Sequence, residues 1–461
     1  MLSKLKLCNQ ICKVQVFLPA CLNAGLTSSN DVAPNFDNSQ QAFKSKSTFE
    51  LIRACSILAL CSKDILVDNA LKLMRAGEIF LGKIIFTRLM EKTFYGQFVA
   101  GETGPAVVKA AEKLKIQGLN LMVAPALESD LGEGTASGLL DKNLTEYLQL
   151  ADLTSKGSFN GPTTPACLQM KMTALVPIDV LIQLTNILND STGEKKLQII
   201  SLLSKCMEDM VSLTNLKGLP EELQEELQSA CQRLKLLGSK GKEAKIRIMV
   251  DMEWTYVNPA CSALALAMMK IYNRNTPAIC STVQCYLKGA LDTLEFERLA
   301  ASQFGVCYGA KLVRGAYLEK EKQVAPHLVC NSYDDTSKNY ERVMMNALKT
   351  ALQSQPGAHF IFVATHNEAV IKTAINFLRQ QFTSKHPNVG FAQIYGMAEN
   401  ISLPLAQANY LVYKSVAFGS LNQVIPYLAR RAAENRAIMK GARRERELMM
   451  SEIKRRLFYK I

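Results

Sequence analysis

The sequence predicts an α/β chain built as a (β/α)8 barrel with an N-terminal helical extension, and three observations carry that expectation. Eight short apolar or β-branched runs recur between longer helix-patterned stretches. Most of the runs are hydrophobic without alternation, as parallel strands covered on both faces must be. Polar and charged residues gather at the carboxyl ends of those runs, where barrel enzymes assemble their sites.

The expected strands are Leu119 to Ala124, Met170 to Val176, Ile246 to Met252, Ala278 to Gln284, Gly309 to Arg314, Phe360 to Thr365, Gly390 to Tyr395 and Tyr410 to Val416. Ahead of them, Asn30 to Ser47 is polar and reads as a linker that orders poorly by itself. From Thr48 to about Lys115 apolar residues fall three and four apart, a helical preface interrupted at Tyr95-Gly96-Gln97. Between the second and third strands lies a helical insert, Ile178 to Lys242, punctuated by Pro220-Glu221-Glu222-Leu223 and ended by Gly238-Ser239-Lys240-Gly241. No GxGxxG or Walker-type loop occurs. A nucleotide cofactor would therefore bind outside a Rossmann unit.

A chain of 461 residues can bury a large core, and its formal net charge of +13 calls for an acidic partner: nucleic acid, an anionic membrane, or a ligand bearing carboxylate or phosphate. Thirteen cysteines, an odd number without a CxxC pair and set among apolar neighbours, read as reduced, packed thiols. Cys8, Cys12 and Cys21 have no partnering histidine, and the four histidines are scattered, so no metal site is expected. The first thirty residues carry Lys4, Lys6 and Lys13 and no acid until Asp31, the profile of a mitochondrial presequence, although arginine is absent. The apolar run Ala54 to Cys61 is too short to span a bilayer. The expected organisation is a targeting segment and linker (1–40), a helical arm (41–115), a barrel domain (116–445) and a basic C-terminal helix (446–461), in a protein of the mitochondrial matrix or peripheral on the inner membrane.

At the strand ends stand Lys171, Asp251 with Glu253, Gln284, Lys311 with Arg314, and His366 with Asn367. Each has an ordinary structural reading, Lys171 as a snorkelling edge residue and Asp251 as a helix cap. Several strands behaving alike weigh against that reading. Lys311 to Tyr317 runs from an apolar strand into a turn at Gly315 and Ala316 and then a charged helix start. Two cations and open backbone there suit an anionic, partly flat ligand. After Pro426, Arg430 and Glu434 share a helix face at the spacing of an ordinary surface ion pair. The adjacent Arg430 and Arg431 can instead present two planar forks to one carboxylate, with Glu434 holding them in place.

Seven motifs in order then resemble the proline dehydrogenases, flavoenzymes on a distorted (β/α)8 TIM barrel, and most closely their vertebrate hydroxyproline-oxidising branch. They are Tyr95 to Thr103, Lys171 to Leu175, Val250 to Glu253, Lys311 to Tyr317, Ala364 to Asn367, Tyr395 to Met397, and the Arg430-Arg431-x-x-Glu434-Asn435 helix. The resemblance implies that Lys171, Arg430 and Arg431 clamp the substrate carboxylate, Glu434 orients that pair and lies near the ring nitrogen, and Asp251 belongs to the network beneath. It implies that Tyr317 and Ile394 pack on the substrate ring, and that Gln284, Lys311, Gly315, Ala316, Thr365 and His366 contact FAD, with Lys311 near flavin N5. Many bacterial members carry Arg at the Lys311 position and Lys at the Arg314 position, so charge is retained while the planar fork moves. The proline enzymes have Tyr where this chain has Ser415; serine leaves room for a 4-hydroxyl and offers it a hydrogen bond. The implied reaction is oxidation of trans-4-hydroxy-L-proline, and more weakly L-proline, by hydride transfer to flavin, with electrons passed to a membrane quinone.

Two other classes compete. One is a barrel enzyme of different chemistry, a Schiff-base lyase on Lys171 or a metal hydrolase on Asp251, Glu253 and His366. The other is a binding protein acting through Lys440 to Arg446 and Lys454-Arg455-Arg456. That tail has few aromatics to stack bases, which argues against nucleic acid. Its amphipathic character favours peripheral contact with anionic lipid.

Overall fold

Apolar runs with β-branched residues become parallel strands here because helices cover their outer faces and side chains fill the barrel inside. In a computed structural model that describes residues 33–127, 138–157, 164–213, 216, 218–315, 317–355, 357–381 and 387–458, nine strands form one sheet. The side chains at 422, 426 and 430–442 lie outside the described ones. The strands are β1 (Val99–Gly101), β2 (Asn120–Pro125), β3 (Cys167–Lys171), β4 (Arg247–Asp251), β5 (Ile279–Gln284), β6 (Tyr308–Val313), β7 (His359–Ala364), β8 (Val389–Ile394) and β9 (Val412–Phe418). Strands β2 to β9 pair in sequence order, and β9 pairs with both β8 and β2, which closes an eight-stranded parallel barrel. The predicted (β/α)8 barrel is the fold observed.

One strand is shifted from its expected place. The sequence predicts a strand over Met170 to Val176, but β3 ends at Lys171 and Met172–Ala174 forms a 3-10 turn. All of these turn residues are buried, so their apolarity marks burial and not strand geometry.

Alternation along the strands sets up layers inside the barrel. The floor is Met122, Cys167, Met249, Cys280, Phe360, Phe362, Ala392 and Tyr413. Beneath it the Arg247 guanidinium lies 3.8 Å from the Phe360 ring centroid and donates to the Pro277 carbonyl at 2.8 Å. Two residues further along the strands the inward positions turn polar, at Gln169, Asp251, Thr282, Lys311 and Ser415. This change of layer separates scaffold from site.

The insert is three helices, Ile178–Asn189, Gly193–Asp209 and Glu221–Glu243. The last does not end at Gly238-Ser239-Lys240-Gly241 as expected but runs through it. A Cβ at Gly238 would fall 2.2 Å from the Tyr272 ring, and one at Gly241 would fall 2.7 Å from Ile248, so these glycines admit close packing. The polar stretch read as a linker places Phe36, Ala42 and Phe43 in the core, with Asn38 capping the helix Ser39–Ala42.

The Tyr95-Gly96-Gln97 segment does not break a helix. It lies within one, Phe94–Phe98, and leads into β1. Tyr95 donates to the Gly419 carbonyl at 2.9 Å, and Gln97 donates to the Gly396 carbonyl at 2.7 Å. These bonds fasten the helical extension to the ends of β8 and β9. Strand β1 then pairs with β9 at Ala417 and Phe418, just beyond Ser415 where β8 pairing stops.

A single helix, Leu421–Phe458, closes the described chain and packs on the helix Thr48–Leu60. Its basic end is internally satisfied: buried Glu452 accepts from Arg455 at 2.8 Å and Arg456 at 2.7 Å, and Arg456 also donates to the Phe43 and Lys46 carbonyls. Among the described residues, no helix is long and apolar enough to cross a membrane.

Candidate active site

A cavity of about 530 Å³ opens at the carboxyl ends of the barrel strands, within the range of small-molecule sites. Lys171, Asp251, Gln284, Lys311, Gly315, Tyr317, Thr365, His366, Ile394 and Ser415, all singled out in the sequence, line it together. Ala316 lies outside the described residues. Arg430, Arg431 and Glu434 sit on the helix Leu421–Phe458, but their side chains lie outside the described ones. Tyr427 and Glu445, near the two ends of that stretch, both line the cavity. At about 100° per residue, positions 431, 434 and 445 fall within about 40° of position 427 around the helix.

The deepest polar layer is an ion pair. Lys311 Nζ lies 2.5 Å from Asp251 Oδ1 and 3.2 Å from Gln169 Oε1. Gln169 Nε2 in turn donates to Ser415 Oγ at 2.5 Å. Parallel pairing sets Lys171 beside Asp251 at the mouth of the barrel. Lys171 Nζ donates to the Tyr317 hydroxyl at 3.0 Å, and its backbone amide donates to Tyr147, a fully buried residue. The Tyr317 ring meets Trp254 edge-on at 5.3 Å. Glu253, also buried, accepts from the Thr173 hydroxyl at 3.0 Å and so fixes the turn that follows Lys171.

The wall formed by β5, β6 and β7 is built around Gly315. This residue has φ 118°, and a Cβ on it would meet the Tyr286 ring at 1.8 Å, so only glycine fits. Gln284 faces the cavity, yet its amide is already engaged: Nε2 donates to the Met252 and Glu253 carbonyls and Oε1 accepts from Asn258. Arg314 donates to Ser337 and to the Tyr333 carbonyl with its guanidinium over the Tyr333 ring. His366 Nε2 accepts from the Ile394 amide at 3.1 Å, so the neutral ring carries its proton on Nδ1. The Thr365 hydroxyl accepts from the Asn367 amide at 3.1 Å.

Two groups of site residues were not anticipated. One is Gln169, whose partner Ser415 is distant in sequence. The other is a buried charge cluster that fixes the last helix to the rim. Glu399 forms ion pairs with Lys46 at 3.0 Å and Lys414 at 3.4 Å; burial alone would raise its carboxyl, but the two lysines hold it at about 2. Glu445 accepts from the Ala398 amide at 2.9 Å and the Glu399 amide at 2.6 Å, and burial pushes its carboxyl up to about 7. No sequence pattern links these positions. Among the described residues no group of three or more His, Cys, Asp and Glu side chains is placed to hold a metal ion.

Comparison with known proteins identifies the family. The family profile described as "Proline dehydrogenase" matches residues 107–444. The hydroxyproline dehydrogenase of Xenopus laevis is 34% identical over 90% of this chain and 89% of its own, and that of Rattus norvegicus is 35% identical over 90% and 93%. The mitochondrial proline dehydrogenase 1 of Homo sapiens is 28% identical over 92% and 90%. Among solved structures, proline utilization A from Bdellovibrio bacteriovorus, inactivated by N-propargylglycine, shares the fold with a TM-score of 0.59 at 17% identity. That match covers 86% of this chain but only 38% of the longer protein. A profile spanning most of the barrel, joined to relatives aligned along nearly the whole length, places this chain in the proline dehydrogenase family.

Proposed function

We propose that the chain oxidises trans-4-hydroxy-L-proline, and L-proline less efficiently, to the corresponding pyrroline-5-carboxylate product in an FAD-dependent reaction. The observation that carries the substrate choice is Ser415, a small hydroxyl facing a cavity that also holds Lys171 and Tyr317. The cavity suits a flavin dinucleotide: Lys311, Arg314 and Arg444 line it with positive charge, and Gly315 keeps one wall free of a side chain. Gln284, Lys311, Gly315, Ala316, Thr365 and His366 would hold the flavin, which when bound supplies the hydride acceptor.

Lys171 with Arg430 and Arg431 would neutralise the substrate carboxylate, with Glu434 orienting the arginines and Tyr317 and Ile394 packing on the ring. Fixing the ring this way converts a bimolecular encounter into an oriented one. Asp251 pairs with Lys311 and places it at the base of the site. Anaerobic titration of flavin absorbance with each amino acid tests the reading. Bleaching by both, at lower hydroxyproline concentration, is expected; a colourless protein that does not take up FAD would favour a Schiff-base lyase on Lys171. Arg431→Met should weaken substrate binding roughly ten- to hundredfold, the loss of one charge-assisted hydrogen bond, with flavin content retained. Equal substrate affinity in variant and wild type would remove Arg431 from the substrate site.

Electrons would leave to a membrane quinone, in the mitochondrial matrix or on the inner membrane, with the residues ahead of Phe36 as targeting segment, 41–115 as helical arm, 116–445 as barrel and 446–461 as basic tail. Because the arginines of that tail are satisfied internally, the membrane contact is better assigned to the helical stretch Ala70–Lys92, which kinks at Gly82. There Ile79, Phe80, Ile84 and Ile85 are 80%, 86%, 71% and 61% exposed beside Lys72, Arg75, Lys83 and Arg88. Exposed apolar residues flanked by cations suit an anionic lipid surface. The double variant Phe80→Glu, Ile84→Glu should stop co-sedimenting with cardiolipin-containing vesicles while still being reduced by substrate. Undiminished sedimentation would reject this face.

A further inference from the structure

Gln169 stands on β3 and Ser415 on β9, with β2 between them, so no backbone ladder joins the two residues. Their side chains meet over β2, with Gln169 Nε2 2.5 Å from Ser415 Oγ. The other end of the amide faces Lys311 Nζ at 3.2 Å, and Lys311 is held by Asp251. An ammonium has three donors and no acceptor, so the glutamine must turn its oxygen toward Lys311 and its NH2 toward Ser415. The serine oxygen therefore receives a proton and its own hydrogen must point elsewhere. Among the described residues Gln169 is the one hydrogen-bond partner of that hydroxyl, and both residues line the cavity.

We propose that Gln169 is a positioning residue: it aims the Ser415 proton into the cavity, so that the site reads the substrate's 4-hydroxyl oxygen as a hydrogen-bond acceptor. This inference rests on the hydroxyproline reading given above. The direction of recognition is set by Asp251 through Lys311 and the amide. A ring CH2 in the same place offers no acceptor and leaves the serine proton without a protein or substrate partner, which is a source of discrimination against proline.

The test inverts the polarity. In Gln169→Glu the carboxylate only accepts, so it draws the Ser415 proton toward itself while keeping a bond from Lys311, and the serine presents lone pairs to the substrate. The ratio of hydroxyproline to proline kcat/KM should fall roughly tenfold, the equivalent of one neutral hydrogen bond. The new carboxylate beside Lys311 acts on flavin reduction by both substrates alike and cancels in the ratio, so the change specific to hydroxyproline should lie mainly in KM. Calorimetric affinity for hydroxyproline, measured with the bound flavin kept reduced so that no turnover occurs, should fall by the same factor.

A purely structural role for Gln169 predicts something different in the Ser415→Ala background. There Gln169→Glu should leave the substrate ratio unmoved if it acts through the serine. A further drop of similar size in that background overturns the proposal, as does an unaltered ratio in the single variant. A wild type that does not distinguish the two amino acids overturns the substrate reading and this inference together. A wild type that prefers hydroxyproline, with Gln169→Glu inert, overturns only the inference.

Discussion

Lys311→Met is expected to destabilise the protein and slow flavin reduction in one step. Lys311 is 6% exposed and its Nζ lies 2.5 Å from Asp251 Oδ1, so its removal leaves a mostly buried carboxylate without this counter-ion. Breaking a fully buried pair costs about 3–5 kcal/mol; because Asp251 keeps some exposure, roughly 2–3 kcal/mol is the better expectation. On the proposed placement of Lys311 at the flavin, reduction should slow as well, because a cation there favours the charge that develops. Lys311 also sets the polarity of Gln169, so the preference for hydroxyproline should shrink together with the rate. Lys311→Arg restores the charge and should recover stability more fully than specificity, since a planar fork does not reproduce a point contact. Denaturant unfolding, stopped-flow flavin reduction and the substrate ratio measure the three effects. A Met variant with wild-type stability and reduction rate would take Lys311 out of the site.

The barrel was legible because parallel strands buried on both faces leave an unmistakable composition, and seven of the eight lie within two residues of their expected places. The exception, β3, shows the limit of that signal: Met172 to Ala174 is as buried as any strand but turns. Gly238 and Gly241 misled for a related reason. Glycine marks both helix ends and close contacts, and only the positions of Tyr272 and Ile248 decide between them. In the site, the residues at strand ends could be located because barrel geometry brings strand ends together. Connections that depend on side-chain reach could not. Gln169 and Ser415 are 246 residues apart, and Ala398 and Glu445 are 47 apart; nothing local in either segment encodes the pairing.

Ser415→Tyr should reverse the substrate preference. Ser415 is half-buried, and its oxygen already accepts from Gln169 at 2.5 Å, so a phenol ring there must occupy space the cavity now leaves to the ligand. Two losses combine for hydroxyproline. In the proposed pose the ring would overlap the volume beside substrate C4, and the serine donor is gone. Overpacking a close-fitting site costs about 1–3 kcal/mol, so kcat/KM for hydroxyproline should fall roughly ten- to hundredfold. Proline needs neither the space nor the donor, and its turnover should fall less or rise. The variant also displaces the NH2 of Gln169, a cost that falls on both substrates alike and cancels in their ratio. If Ser415 is merely a small residue within β9, the larger side chain would damage packing against β2 and β8 and depress both reactions together. Flavin content and the unfolding midpoint report that damage independently. A parallel loss for both amino acids at full flavin occupancy would show that the serine does not choose the substrate, and would leave the 4-hydroxyl to be read by another wall of the cavity.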